Sequence, residues 1–460
     1  MRDRRDLEMT VEDPAALEAF EQAVEAFLEY RLEALPRARA ALAADPGLAL
    51  ARCLLAALFL SMQSRRMRAE AVEQLDQAER ARPRLGPRER LHLDAARAWA
   101  ADDMERALGL WQAILGAWPR DILAVRLLQT AAFWCGDAEL VRAAPAGVLP
   151  EWDEALPGFG HLQGMLAFGL EECGDYAAAE PLGRAAVERN PGDLWAVHAV
   201  AHVLEMQGRF EEGGRWLAQP PEQWDDRGPI KGHVWWHAAL FALERDEPEA
   251  VLALYDRAVR PGERCFYIEL QNAASLLVRL EFAGHPTGDR FERLAEQAVG
   301  WVDDHVVPFT DLHTAIALAR TGRPEADLLL ASLERLAAGG EGHAAQVAGP
   351  LLLPIVRAVL AFWRGEPGRT VELLLPLRSI TAPLGGSHAQ RDVIEQLLLE
   401  AALSCGRFDL ARLIAAERVA LRPTSRPSWR KYAQALAGLG AEGAARAALA
   451  RAARARVATA

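Results

Sequence analysis

The sequence has no CxxC pair, no glycine-rich phosphate loop, no GxSxG elbow and no HExxH. These absences remove the commonest signatures of thiol-redox, nucleotide-phosphate, serine-hydrolase and zinc-protease chemistry. Cysteine is scarce and scattered. Cys53, Cys135, Cys173, Cys265 and Cys405 are odd in number, far apart, and each sits in an apolar helical segment. That pattern suits reduced, buried thiols in a cytoplasmic protein. Cys265, in "PGERCFYIE", is the least deeply apolar of the five. The first residues, "MRDRRDLEMTVED", are charged and no apolar stretch follows, so no secretory leader is expected. The longest uninterrupted apolar run, "CLLAALFL" at 53–60, is too short to span a bilayer. No long Lys/Arg block appears, and the net charge is −12 with a pI near 5.5. From this we expect neither nucleic acid nor an anionic membrane as partner.

What is present points to helices. About half of the 460 residues are hydrophobic, Ala, Leu, Arg and Glu dominate, and β-branched runs are few. The length suits two or three globular domains or one elongated array.

Internal repetition decides between these. "GDYAAAEPLGRAAVERNPGD" begins at Gly174, and "GRFEEGGRWLA" begins at Gly208, one 34-residue period later. Tyr176 then maps onto Phe210 and Ala179 onto Gly213. "CGRFDLARLIAAERVALRP" repeats the offsets with Gly406, Phe408, Ala411 and Pro423, and Gly440 and Ala445 follow after another period. Ala107 with Pro119, and Ala34, Ala41 with Pro46, keep parts of the pattern upstream. The glycine closes a first helix, the aromatic fills the elbow, the small residue lets two helices approach, and the proline stops the second. A helix pair of this kind cannot bury its apolar face alone, so pairs must stack. The expected fold is an all-α superhelical solenoid of degenerate tetratricopeptide-type helix pairs. It runs as one continuous array over 1–460, with 285–310, where the register is weakest, as the place for any subdivision.

Several stretches go beyond a generic repeat: "GMLAFGLEECGDYAAAE", "DLWAVHAVAHVLEMQGRFEEGGRWL", "HVWWHAALFALE", "NAASLLVRLEFAG", "FTDLHTAIALARTGR" and "GGSHAQRDVIEQLLLEAAL". In this order they resemble the tetratricopeptide-repeat protein 38 family over nearly the whole chain. The resemblance implies an all-α solenoid of degenerate repeats and a soluble protein. It supplies no reaction.

Polar residues inside those apolar helices are the candidate site. With Gly208 as the fifteenth residue of its repeat, Trp195, His198, His202 and Glu205 take the second, fifth, ninth and twelfth places. In tetratricopeptide repeats these face the groove. Spacings of four and three stack such residues on one helix face. His233 and His237, beside Trp236, open the next pair and lean back toward the first. "DLH" adds Asp311 and His313, and "GGSHAQRDV" adds His388, Arg391 and Asp392, with Ser387 read as a helix N-cap. Three roles stay open for the histidines: satisfied core groups, ligand-binding groups in a groove, or metal ligands and acid–base catalysts. His198 and His202 can both reach one divalent ion, with Glu205 or Asp311 as a further ligand or orienter. Without metal, His202 with Glu205, or His313 with Asp311, would form proton-transfer couples, and His202, Glu205 and His237 are the catalytic candidates. The tryptophans pack a core or wall an organic ligand.

Two functions follow from different classes. In one, a cytoplasmic repeat protein holds a small molecule or short peptide in a histidine- and tryptophan-lined interior groove. In the other, an enzyme uses the His/Glu/Asp cluster for acid–base or metal-assisted chemistry on a small metabolite. Solenoids mostly bind, which favours the first by analogy of fold. A divalent metal is the candidate cofactor, and the reading admits a homo-oligomer.

Overall fold

The computed structural model describes all residues except 229, 261, 263–265 and 455–460. The chain is all-α, as expected, and no strand occurs among the described residues. Only two isolated bridges, Arg2 with Glu8 and Arg31 with Arg227, have β geometry. The fold is a helical-repeat fold of the tetratricopeptide type.

The repeat register is realised in backbone geometry. Gly174 and Gly208 follow the first helices of their pairs with φ of +81° and +70°, the left-handed region that a Cβ disfavours. Tyr176 and Phe210 open the second helices, Tyr176–Arg189 and Phe210–Trp216. At the small-residue position Ala179 is 1% exposed. Its counterpart Gly213 is tighter still: an added Cβ would press on the ring of the fully buried Phe241. Gly213→Ala is therefore expected to destabilise by about 1–2 kcal/mol, overpacking outweighing the gain in helix propensity. An unchanged urea midpoint would contradict that packing.

Packing divides the chain into two compact units. The first comprises 1–200, 224–230 and 340–346, and the second the remainder. The division therefore falls near residue 200 and not at 285–310. The register weakens at 285–310 because a short helix, Arg290–Ala298, and a 3-10 turn replace a full second helix there. Tyr267–Phe282 and Pro308–Arg320 nevertheless pack on each other across it.

In the first unit helices pair in sequence order: Pro14–Leu28 with Ala34–Ala44, Ala49–Leu60 with Arg65–Glu79, and Phe159–Glu172 with Tyr176–Arg189. In the second unit Phe408–Leu421 packs on Arg426–Gly438, which packs on Glu442–Arg454. One contact there skips the order: Tyr267–Phe282 also packs on His388–Ser404. Cys53, Cys135, Cys173 and Cys405 are free thiols, and Cys265 lies outside the described residues. One helical stretch, Gly342–Trp363, is long and apolar enough to cross a bilayer by length and composition, which the search for uninterrupted apolar runs missed. Some 61% of its most apolar window is buried, as in a core helix.

Candidate functional site

In the second unit three helices supply a histidine centre. His202 and Glu205 lie on Leu194–Met206, His233, Trp236 and His237 on Ile230–Glu244, and Asn272 and Arg279 on Tyr267–Phe282. Each helix is apolar around its circumference, so a polar side chain on any face is forced inward. His202 and His237 are fully buried, and His233 and Glu205 are 3% and 4% exposed.

The ring of His237 lies 4.4 Å from that of His202 and 4.8 Å from that of His233, centroid to centroid. One ring nitrogen from each of the three comes within 4.8 Å of the others. Two of the rings are oriented from behind. His237 Nδ1 meets Glu205 Oε2 at 2.6 Å, and His233 Nδ1 meets Asn272 Oδ1 at 2.9 Å. With the Glu205 carboxyl ionised and the Asn272 oxygen accepting, Nδ1 carries the proton and the lone pair sits on Nε2. Trp236 is a wall, stacked on His233 at 5.1 Å and edge-on to His237 at 4.9 Å, with the Arg279 guanidinium 5.4 Å above its ring.

Burial dominates the electrostatics. It pushes Glu205 up to about 7, against the pull of His202, Arg422 and Arg279. It pushes His233 down to about 3, with Asn272 working the other way. Glu205 also lines a cavity of about 50 Å³, room for a few waters. The far wall of that cavity is a charge network. Asp392 accepts from Arg418 at 2.5 and 3.1 Å, from Arg422 at 3.1 Å and from Gln396 at 2.7 Å. Burial works to raise the Asp392 pKa, but Arg418, Arg422 and Arg279 together hold it well below the usual carboxylate range. Arg279 is lowered to about 10 by its own burial and donates to the carbonyl of Ala389 at 2.9 Å. Glu244 completes this wall, and its Oε2 is sealed without a hydrogen bond among the described residues.

Two expected couples are re-paired. Glu205 serves His237 across two helices and not His202 on its own helix. Asp311 meets His305 at 3.0 Å, whose other nitrogen meets Ser332 Oγ at 2.8 Å. His313 instead meets the Phe309 carbonyl at 2.8 Å and is held down to about 4 by burial. Residues two apart on a helix do not face each other, so Asp311 and His313 point apart. Asp311 is thus oriented to His305, not to a metal with His202. His388 lies 6.3 Å from His202, ring to ring, and is half-buried. Arg391 bonds the Gly386 carbonyl, and Ser387 is an N-cap that accepts from Gln390 N at 3.1 Å.

His198 and Trp195 fall in the first unit. His198 stacks on Phe168 at 5.5 Å and lies 5.0 Å from Trp195. Arg126 is clasped between Trp195 and Tyr30, 4.3 and 4.7 Å from their ring centres. Asn272, Arg279, Arg418, Arg422 and Glu244 were missed as site residues. Asn272 and Arg279 carried a signal, being polar in the otherwise apolar "NAASLLVRLEFAG".

No family model matches the sequence. Solved structures are similar to it at low identity. A human IFIT1 dimer with m7Gppp-AAAA has 14% identity over 98% of this chain and 96% of that one, with a TM-score of 0.37. Naa15/Naa10 bound to HypK-THB has 16% identity over 95% and 69%, with a TM-score of 0.27. The APC/C hetero-tetramer Cut9-Hcn1 has 13% identity over 81% and 67%, with a TM-score of 0.29. The exclusion of nucleic acid from net charge is corrected here. IFIT1 was solved with capped and with triphosphate RNA. In this chain an overall charge of −12 coexists with buried and groove-lining clusters of arginine, so net charge alone excludes no anionic partner. These structures share with this chain a helical-repeat fold and no more.

Proposed function

We propose that this chain is a ligand-binding member of the tetratricopeptide-repeat protein 38 family whose second unit holds a divalent transition-metal ion between His202, His233 and His237. The observation that carries this is the convergence of three imidazole nitrogens within 4.8 Å, with two rings oriented through Nδ1 by Glu205 and Asn272. Three nitrogen ligands with an orienting shell suit an ion such as Zn²⁺ with one position left for water or substrate. A cytoplasmic setting is part of this reading, the four described cysteines being free thiols.

A second reading, an enzyme that uses His202, Glu205 and His237 on a small metabolite, is favoured by the cavity that Glu205 lines. A carboxylate bound to an imidazole beside space for a few waters is an acid–base arrangement. The cavity suits an ion, water or a small group and leaves no room for a peptide.

Elemental analysis of the full chain after dialysis tests the metal. About one equivalent per chain is expected in the wild type and background levels in His233→Ala, with the helical circular dichroism of the two unchanged. A wild type that takes up neither Zn²⁺ nor Co²⁺ when these are supplied sinks the metal reading.

A further inference from the structure

A groove of about 720 Å³ in the second unit is lined by six arginines against three glutamates. Its volume suits a small organic ligand. Two of the arginines are neutralised in place, Arg209 by Glu212 at 2.6 Å and Arg245 by Glu247 at 2.7 Å, with Glu211 farther off at 3.9 Å. The other four, Arg215, Arg426, Arg451 and Arg454, make no ion pair among the described residues. They come from three helices. Arg215 ends Phe210–Trp216, Arg426 opens Arg426–Gly438, and the remaining two end Glu442–Arg454. Local contacts fix two of them without cancelling their charge. Arg426 Nη1 donates to the Arg245 carbonyl at 2.5 Å, and Arg451 lies 5.1 Å over the ring of Trp429.

Arg215, Arg451 and Arg454 have no carboxylate partner among the described residues, and Arg426 has only the field of Glu247 beside it. Guanidinium groups so gathered around one concavity repel one another, although the chain as a whole carries a net charge of −12. An anion with more than one charge relieves that repulsion, and guanidinium forks match phosphate and carboxylate oxygens. The groove and the inner cavity have one wall residue in common. Glu244 lines both the groove and the inner cavity, and Glu205 lines that cavity while holding His237.

We infer that this groove receives a small anion carrying two or more negative charges, a phosphate ester or a polycarboxylate. The anion site stands on these arginines and does not depend on the histidine reading above.

Calorimetric titration of the full chain with glucose 6-phosphate and with succinate, both weak metal chelators, tests it. At least one should saturate with a dissociation constant below about 1 mM and weaken as ionic strength rises. Saturation by glucose 6-phosphate alone marks the phosphate ester, and by succinate alone the polycarboxylate. The double variant Arg215→Gln/Arg451→Gln, both positions exposed, should bind about tenfold more weakly with its metal content and melting temperature unchanged. His233→Ala should lose metal yet keep the anion. The proposal is overturned if neither probe saturates the wild type, or if the double variant binds as the wild type does. Metal content, read separately, shows whether the histidine centre fails with it.

Discussion

Replacing Asp392 with alanine is expected to cost about 3–5 kcal/mol of folding free energy, the usual penalty for breaking a buried ion pair from one side. Its carboxylate is the shared acceptor for Arg418 and Arg422, both less than a tenth exposed. Removal leaves two guanidinium groups in a wall they cannot leave. Glu244 and Glu395 stay near Arg418 but do not take over its bidentate bond. The same carboxylate sets an acid limit. Its folded pKa lies below the unfolded value of about 3.9, so its contribution is complete above that value. As pH falls the unfolded chain takes up a proton that the folded chain does not, and stability declines toward the folded pKa. Urea midpoints measured between neutrality and pH 3 should fall less steeply in Asp392→Asn than in the wild type. Equal slopes would show that another group carries the acid sensitivity.

Trp236→Ala is expected to lose about 3–5 kcal/mol as well, by a different route. Trp236 is fully buried and touches His233, His237 and Arg279 with its faces and edge. Truncation opens a cavity and also frees two imidazoles to rotate. Thermal denaturation reads the first effect and metal retention the second. Trp236→Phe separates them: it should recover part of the stability and most of the metal. A tryptophan that only fills space would show loss of stability with metal retained in both variants.

Much of the fold is legible in the sequence because its signals are local. A left-handed glycine such as Gly174 answers a demand of its own backbone, and the Ser387–Gln390 capping box closes within three residues. The histidines stood out for the same reason, as polar residues at helical spacing in apolar helices. Their partners did not, because tertiary approach selects them. Glu205 had His202 one turn away on its own helix, and the choice of His237 depends on how the next helix is laid down. His305 was invisible as the mate of Asp311, since its backbone sits at φ +47° in a turn that no periodicity announces. Gly342–Trp363 escaped notice because Pro350, Pro354 and Arg357 break it into short runs, although the helix continues through a π turn at Ala348–Leu352.

The bond from Arg279 to the carbonyl of Ala389 joins residues 110 apart in the chain. Tandem-repeat proteins ordinarily fold by neighbour-to-neighbour propagation and gain or lose repeats freely over evolution. Here the intervening arc must be closed before the packing of Tyr267–Phe282 on His388–Ser404 is available, and the entropy of that closure opposes it. The second unit should accordingly fold more slowly than an array of only local contacts. Its ancestry is constrained in the same way. A helix pair inserted or deleted between 283 and 387 would carry Ala389 out of reach of Arg279, so duplication is confined to stretches outside that arc.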